Sequence, residues 1–140
     1  MDFSAFSKDA SIPANYETLR RNSEGHIKGW KLYEQNMAGA VQVITVDDPE
    51  QLFRLLDHDR IDVALYARWM GLAFIRKHAL KNIRLLEPPL ASRAMYIYLN
   101  KRHTELVPGL VQALRALKRE GFYQRVHQQK LMPYDKAGGR

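Results

Sequence analysis

The chain has 140 residues and a net charge of +7, with 46% hydrophobic residues, 26% charged residues and no cysteine. That composition excludes a wholly disordered or collagen-like chain, and the lack of cysteine excludes disulfides, thiolate zinc sites and cysteine nucleophiles. No apolar run reaches the roughly 18 residues of a membrane span, and Met1-Asp2-Phe3-Ser4 lacks the basic-then-apolar order of a secretory signal.

Residues 2–7 read as a short strand. Residues 9–25 are polar, with Pro13, Asn15, Asn22, Ser23 and Gly25, and predict loop with one helical turn at 16–20. His26-Ile27-Lys28 is a weak strand ending at Gly29, and residues 30–37 form a helix stopped by Gly39. The β-branched run 41–46 is a strand. Asp48-Pro49-Glu50-Gln51 opens a helix, with Asp48 as cap, Pro49 at the first helical position and Gln51 placed to reach back. Leu52, Phe53, Leu55 and Leu56 give that helix its apolar face.

After the break at Asp57-His58-Asp59, Ile61, Val63 and Leu65 alternate as a strand, with Ala64 and Tyr66 on its other face. Residues 68–78 predict a helix that buries Met70, Leu72 and Phe74; residues 83–86 are a short strand, and Pro88-Pro89 a rigid extended turn. Met95-Tyr96-Ile97-Tyr98-Leu99 carries the strongest strand signal of the chain. Thr104 can cap the next helix, and Pro108 fits its first turn. Leu106, Leu110, Leu114 and Leu117 then recur at helical spacing up to Gly121. Residues 122–130 make a second short helix, and residues 132–140 read as a loose tail. Strands alternating with helices predict an α/β sheet with crossover connections.

The charge is unevenly spread. Residues 1–99 carry 13 Lys and Arg against 12 Asp and Glu, whereas residues 100–140 carry 9 against 3. A basic segment can meet nucleic acid or an anionic membrane. No aromatic-basic RNA-binding motif accompanies it, so a solvated helix face or an acidic partner is favoured over nucleic acid.

The ordered set Ile27-Lys28-Gly29-Trp30-Lys31-Leu32-Tyr33-Glu34, Asp48-Pro49-Glu50-Gln51-Leu52-Phe53, Asp59-Arg60-Ile61-Asp62-Val63-Ala64-Leu65-Tyr66, Glu87-Pro88-Pro89-Leu90, Tyr96-Ile97-Tyr98-Leu99-Asn100-Lys101-Arg102-His103 and Leu106-Val107-Pro108 resembles the family 3 extracellular solute-binding proteins of ABC transporters. These are the polar amino acid class of periplasmic binding proteins, and the resemblance covers roughly residues 3–127. It implies a type 2 periplasmic-binding-protein-like lobe: a mixed sheet with flanking helices and two hinge-crossing strands. On that reading residues 1–9 hold the first crossing strand, 10–92 the second lobe, and 93–102 the return crossing strand. Residues 103–131 would be terminal helices that pack on the first lobe in the family, and 132–140 a flexible tail. The opening half of the first lobe has no counterpart. The leucine-striped helix would then lack its usual partner, which predicts self-association, as a swapped or intertwined dimer.

The resemblance further implies a non-catalytic receptor for a small polar solute, an ABC transporter permease as partner, and a periplasmic setting. With Met1 as the true start and no export signal, the setting would instead be cytoplasmic. Gly29, Trp30 and Lys31 sit where the family's second lobe turns from strand to helix. Free N–H groups there could attract a carboxylate, with Lys28 adding charge, or the turn could be plain with Trp30 packed on the lobe. The family's acidic acceptor for an amino group falls near Ala67, with Arg68 next, and neither can accept from an ammonium. Tyr66, Arg68 and Trp69 would instead favour an anionic or aromatic solute, or else form an exposed first helical turn. Asp62 is read as structural, opening a strand and holding either local hydrogen bonds or a salt bridge with Arg60.

The five histidines show no helical pair, so no metal is expected, and no cofactor loop is present. Glu87 is a lone carboxylate, which leaves acid–base catalysis unsupported. The competing reading is a truncated interaction protein that self-associates and no longer binds solute.

Overall fold

The computed structural model describes residues 1–135. The chain divides into two compact units, Met1–Arg93 and Ala94–Arg140.

The first unit is built on a five-stranded sheet of order β3-β2-β4-β1-β5. The strands are β1 (Asp2–Ser7), β2 (Ser23–Ile27), β3 (Gln42–Val46), β4 (Val63–Ala67) and β5 (Arg84–Ser92). The helices are α1 (Tyr16–Leu19), α2 (Lys31–Asn36), α3 (Pro49–Asp57) and α4 (Arg68–Lys77). β2 is parallel to β3 and β4, and β1 runs antiparallel between β4 and β5. The chain therefore steps outward from β2 to β3 and then returns across β2 to β4. This reversal puts the two crossover helices α2 and α3 on opposite faces.

Register fixes what each face holds. Glu24 and His26 of β2 lie opposite Val63 and Leu65, and Ala5 of β1 opposite Leu65. Successive side chains alternate, so these residues share a face. There Ala5, Val63, Leu65 and Leu86 pack with Ala14, Leu19, Tyr33 and Met37. On the other face Leu52, Phe53 and Leu56 of α3 are buried. Gly25 lets α3 sit close, since a Cβ there would lie 2.8 Å from Ile61 Cδ1 and 3.0 Å from Leu52 Cδ1.

The helix start expected at Asp48 forms. Its carboxylate accepts from the Gln51 N–H at 2.8 Å, and the Gln51 amide reaches Asp48 Oδ2 at 3.0 Å, closing on the side chain rather than the cap backbone. Asp48→Ala is expected to lower stability by about 1 kcal/mol, read from the urea midpoint at unchanged slope. An unmoved midpoint would show that the cap contributes nothing.

Several expectations need correcting. β5 begins near the predicted site but continues through Pro88-Pro89 to Ser92. The prolines fall where the ladder with β1 is interrupted, between the pairs Ala5–Leu86 and Phe3–Ala91, so their missing N–H groups break no regular pairing. Met70 is 51% exposed, while Gly71 and Leu72 face the sheet in its place. Leu55 is half-buried. Of the two alternatives for Asp62, hydrogen bonding is the one found: its Oδ2 accepts from the Ser23 N–H at 2.9 Å and hydroxyl at 2.6 Å.

The largest departure is at residues 95–99, which form no strand. The two neighbours of β1 are β4 and β5. Tyr96 is 71% and Tyr98 89% exposed. Strand propensity expresses packing against neighbours, and without a ladder partner it produces no strand.

In the second unit a 3₁₀ segment, Lys101–Leu106, leads into α5 (Val107–Arg119). Thr104 does not cap α5, which starts without a side-chain cap; its hydroxyl donates to the Lys101 carbonyl, and Asn100 caps the 3₁₀ segment, accepting from the Arg102 N–H at 3.1 Å. Pro108 lies in the first turn of α5, and Gly121, at φ 69°, ends the helix. α6 (Phe122–Val126) passes through a π-helical turn, His127–Leu131, into α7 (Met132–Asp135). The loose tail expected over 132–140 is thus helical at its start, because the preceding turns continue and a proline is tolerated in a first turn. Residues 136–140 lie outside the described residues. None of α5, α6 or the turns flanking them buries a residue, and Leu106 and Leu110 remain exposed.

Candidate functional site

In an open α/β sheet the crevice for a ligand lies beyond the carboxyl ends of the strands, where the strand order reverses. Here that point lies between β2 and β4. β2 leaves through Lys28, Gly29 and Trp30, and β4 through Tyr66, Ala67 and Arg68.

The geometry brings most of the expected residues together. Trp30 stacks on Tyr66 with ring centroids 5.1 Å apart and planes 23° from parallel. It also lies parallel to Tyr33 at 5.8 Å, and Phe3 meets both Trp30 and Tyr33 edge-on at 5.9 and 5.7 Å. The Tyr33 phenol shares its donation between the Tyr66 carbonyl at 2.8 Å and the Ser4 carbonyl at 3.2 Å, which anchors α2 to β4 and β1. Burial pushes the Tyr33 phenol far above its ordinary range, and raises that of Tyr66 as well. Both rings are therefore neutral, and that of Tyr33 is a hydrogen-bond donor.

Arg68 opens α4 beside Tyr66. Its side chain is only 12% exposed, and its guanidinium lies 2.5 Å from the Glu87 carboxylate of β5 and 5.2 Å from the Trp69 ring. The exposed Glu87 stands on an edge strand, so this pair connects α4 to β5 at the rim.

Gly29 takes φ 86° and has open space around its Cβ position. Its N–H is not free, because it donates to Glu34 Oε1 at 2.8 Å. Lys31 holds the other oxygen of the same carboxylate at 2.6 Å. The Lys31 ammonium first, and the Gly29 N–H second, hold the Glu34 carboxyl below its usual range. An incoming anion would have to displace Glu34 from this turn.

Two participants were missed in the sequence. Glu34 follows Lys31 at the i, i+3 spacing of a helical ion pair, a signal that could have revealed it. Glu87 was read as lacking a partner; Arg68 is nineteen positions away on another element, and no local pattern links them. Among the described residues no group of His, Cys, Asp or Glu could hold a metal ion. No described helix is long and apolar enough to cross a membrane.

No family model matches the chain. An uncharacterized protein of Shewanella oneidensis is 34% identical over 94 residues, covering 63% of this chain and 34% of that protein. Among solved structures, a histidine kinase sensor domain with similarity to periplasmic binding proteins aligns with a TM-score of 0.78 at 20% identity, covering 93% of this chain and 58% of that one. An ancestral arginine-binding protein bound to arginine aligns with a TM-score of 0.75 at 20% identity, covering 91% and 59%. The chain thus spans a little over half the length of these structures and about a third of its sequence relative. The fold is that of a periplasmic-binding-protein-like lobe, α/β with a mixed sheet.

Proposed function

We propose that this chain supplies one lobe of a two-lobed receptor that binds a small polar solute, an amino acid or organic anion, without catalysis. The observation that carries the reading is the Trp30–Tyr66 stack beside the largely buried Arg68 at the strand-order reversal. Aromatic faces offer a flat apolar contact, and a guanidinium offers a fork matched to a carboxylate. Gly29, Lys31 and Trp69 complete the rim. The names of the solved structures, an arginine-binding protein and a sensor domain, support solute recognition on this fold. An ABC transporter permease as partner, and a periplasmic setting, belong to the same reading.

The test is a thermal-shift panel of amino acids and organic anions on the full chain. Only native-state binding stabilises, so at least one carboxylate solute is expected to raise the melting temperature. Arg68→Ala and Trp30→Ala are each expected to abolish that rise. A flat panel would overturn the reading. It would favour an interaction protein, a reading supported by the exposed residues 95–99 and by exposed Leu106 and Leu110; that reading expects a stable dimer by sedimentation.

A further inference from the structure

The sheet has two edges, and they differ. β5 carries Pro88-Pro89 and Glu87, devices that block the addition of another strand. β3 reads Gln42-Val43-Ile44-Thr45-Val46, with no proline and no charge. The Lys28 N–H bonds the Val46 carbonyl at 2.9 Å, which turns the backbone groups of Val46, Ile44 and Gln42 toward β2. The N–H and C=O of Val43 and Thr45 therefore point away from the sheet, and Val43 is 43% exposed.

Beside this edge runs a groove of about 630 Å³ between β3 and α3. Ile44, Val46 and Leu55 give it an apolar floor, and Gln51, Arg54, His58 and Arg60 a polar rim that holds two arginines and no acidic lining residue. Arg54 pairs with Glu50 at 2.8 Å, both well exposed, an arrangement that contributes little and yields easily. Arg60 has no side-chain partner among the described residues.

We infer that the β3 edge is a docking site for an extended acidic segment of another polypeptide, added as a sixth strand. Backbone groups of Val43 and Thr45 would supply the ladder, and alternate side chains of the guest would enter the groove. The guest's carboxylates would meet Arg60 and the rim. The rim also argues against a second copy of this chain, since two β3 edges joined about a two-fold axis would bring like-charged rims together.

The test is amide hydrogen exchange on the full chain with acetyl-Val-Glu-Val-Glu-Val-amide, and with the matching Val-Lys peptide. The acidic peptide is expected to slow exchange at Val43 and Thr45 by about tenfold or more, and the basic peptide to leave it unchanged. Arg60→Glu alters only an exposed side chain, so the fold is retained; it is expected to remove protection by the acidic peptide and confer it on the basic one. Equal protection by both peptides, or by neither up to about 1 mM, would overturn the inference. So would protection that grows with protein concentration without peptide, which would assign the edge to a second copy.

Discussion

Glu24→Leu is expected to lower the stability of the chain by about 3 kcal/mol, and His26→Leu by more. Glu24 is 0% and His26 1% exposed, and each is the other's side-chain partner: His26 Nδ1 lies 3.1 and 3.2 Å from the two carboxylate oxygens. His26 Nε2 has no partner among the described residues, so the ring has nothing else to turn to. Removing the imidazole leaves both oxygens of the Glu24 carboxyl buried without a partner, whereas removing the carboxyl newly orphans one ring nitrogen, so the first is the costlier. Replacing both residues by leucine removes the desolvation along with the attraction, and the double variant is expected within about 1 kcal/mol of the parent. Urea denaturation of the four proteins decides it. Losses that simply add in the double variant would show that the two groups are not a pair. The consequence reaches the candidate site, because Tyr33, whose ring centroid is 6.1 Å from that of His26, carries the Trp30 stack.

How much of this was legible in the sequence follows from where each element finds its partners. β1, the turn at α1, the α3 cap and the stop at Gly39 were all readable, because capping, glycine conformation and alternation act within a few residues. Residues 95–99 carried the strongest local strand pattern yet form none, since a strand exists only by pairing, and pairing is not local. β5 failed in the opposite sense. Two prolines mark an end, but a break in the β1–β5 register accommodates them.

The candidate site divides the same way. Trp30, Tyr66 and Arg68 could be named from their places after predicted strands, which is a statement about topology. That Trp30 would lie on Tyr66 could not, because β2 and β4 become neighbours only through the return crossing over β2. The Glu24–His26 pair shows the limit from another side. Glu24 falls in a polar stretch that reads as loop and His26 opens a weak strand; only the ladder of β2 with its neighbours and the covering by α2 put both in the core.

Gly71→Ala is the second substitution expected to cost about 2 kcal/mol, although alanine is the better helix former by about 1 kcal/mol. Gly71 is buried in α4 where the helix crosses β1. A Cβ built there would lie 2.3 Å from Phe6 Cζ, 2.7 Å from Cε2 and 3.0 Å from Cε1. The Phe6 ring is fully buried and cannot retreat freely, because it stands edge-on to Phe53 at 5.5 Å, which in turn stacks on Phe74 at 4.9 Å. The strain must then move α4, and with it Arg68 and Trp69 at its first turn. Stability should fall, and any solute-dependent rise in melting temperature should shrink with it. Adding Phe6→Leu makes room for the methyl group, so the double variant is expected to recover most of the loss, with a coupling of about 1 kcal/mol or more in the cycle. A Gly71→Ala protein more stable than the parent would mean that helix propensity outweighs the contact, and that α4 does not pack on Phe6 as closely as this geometry requires.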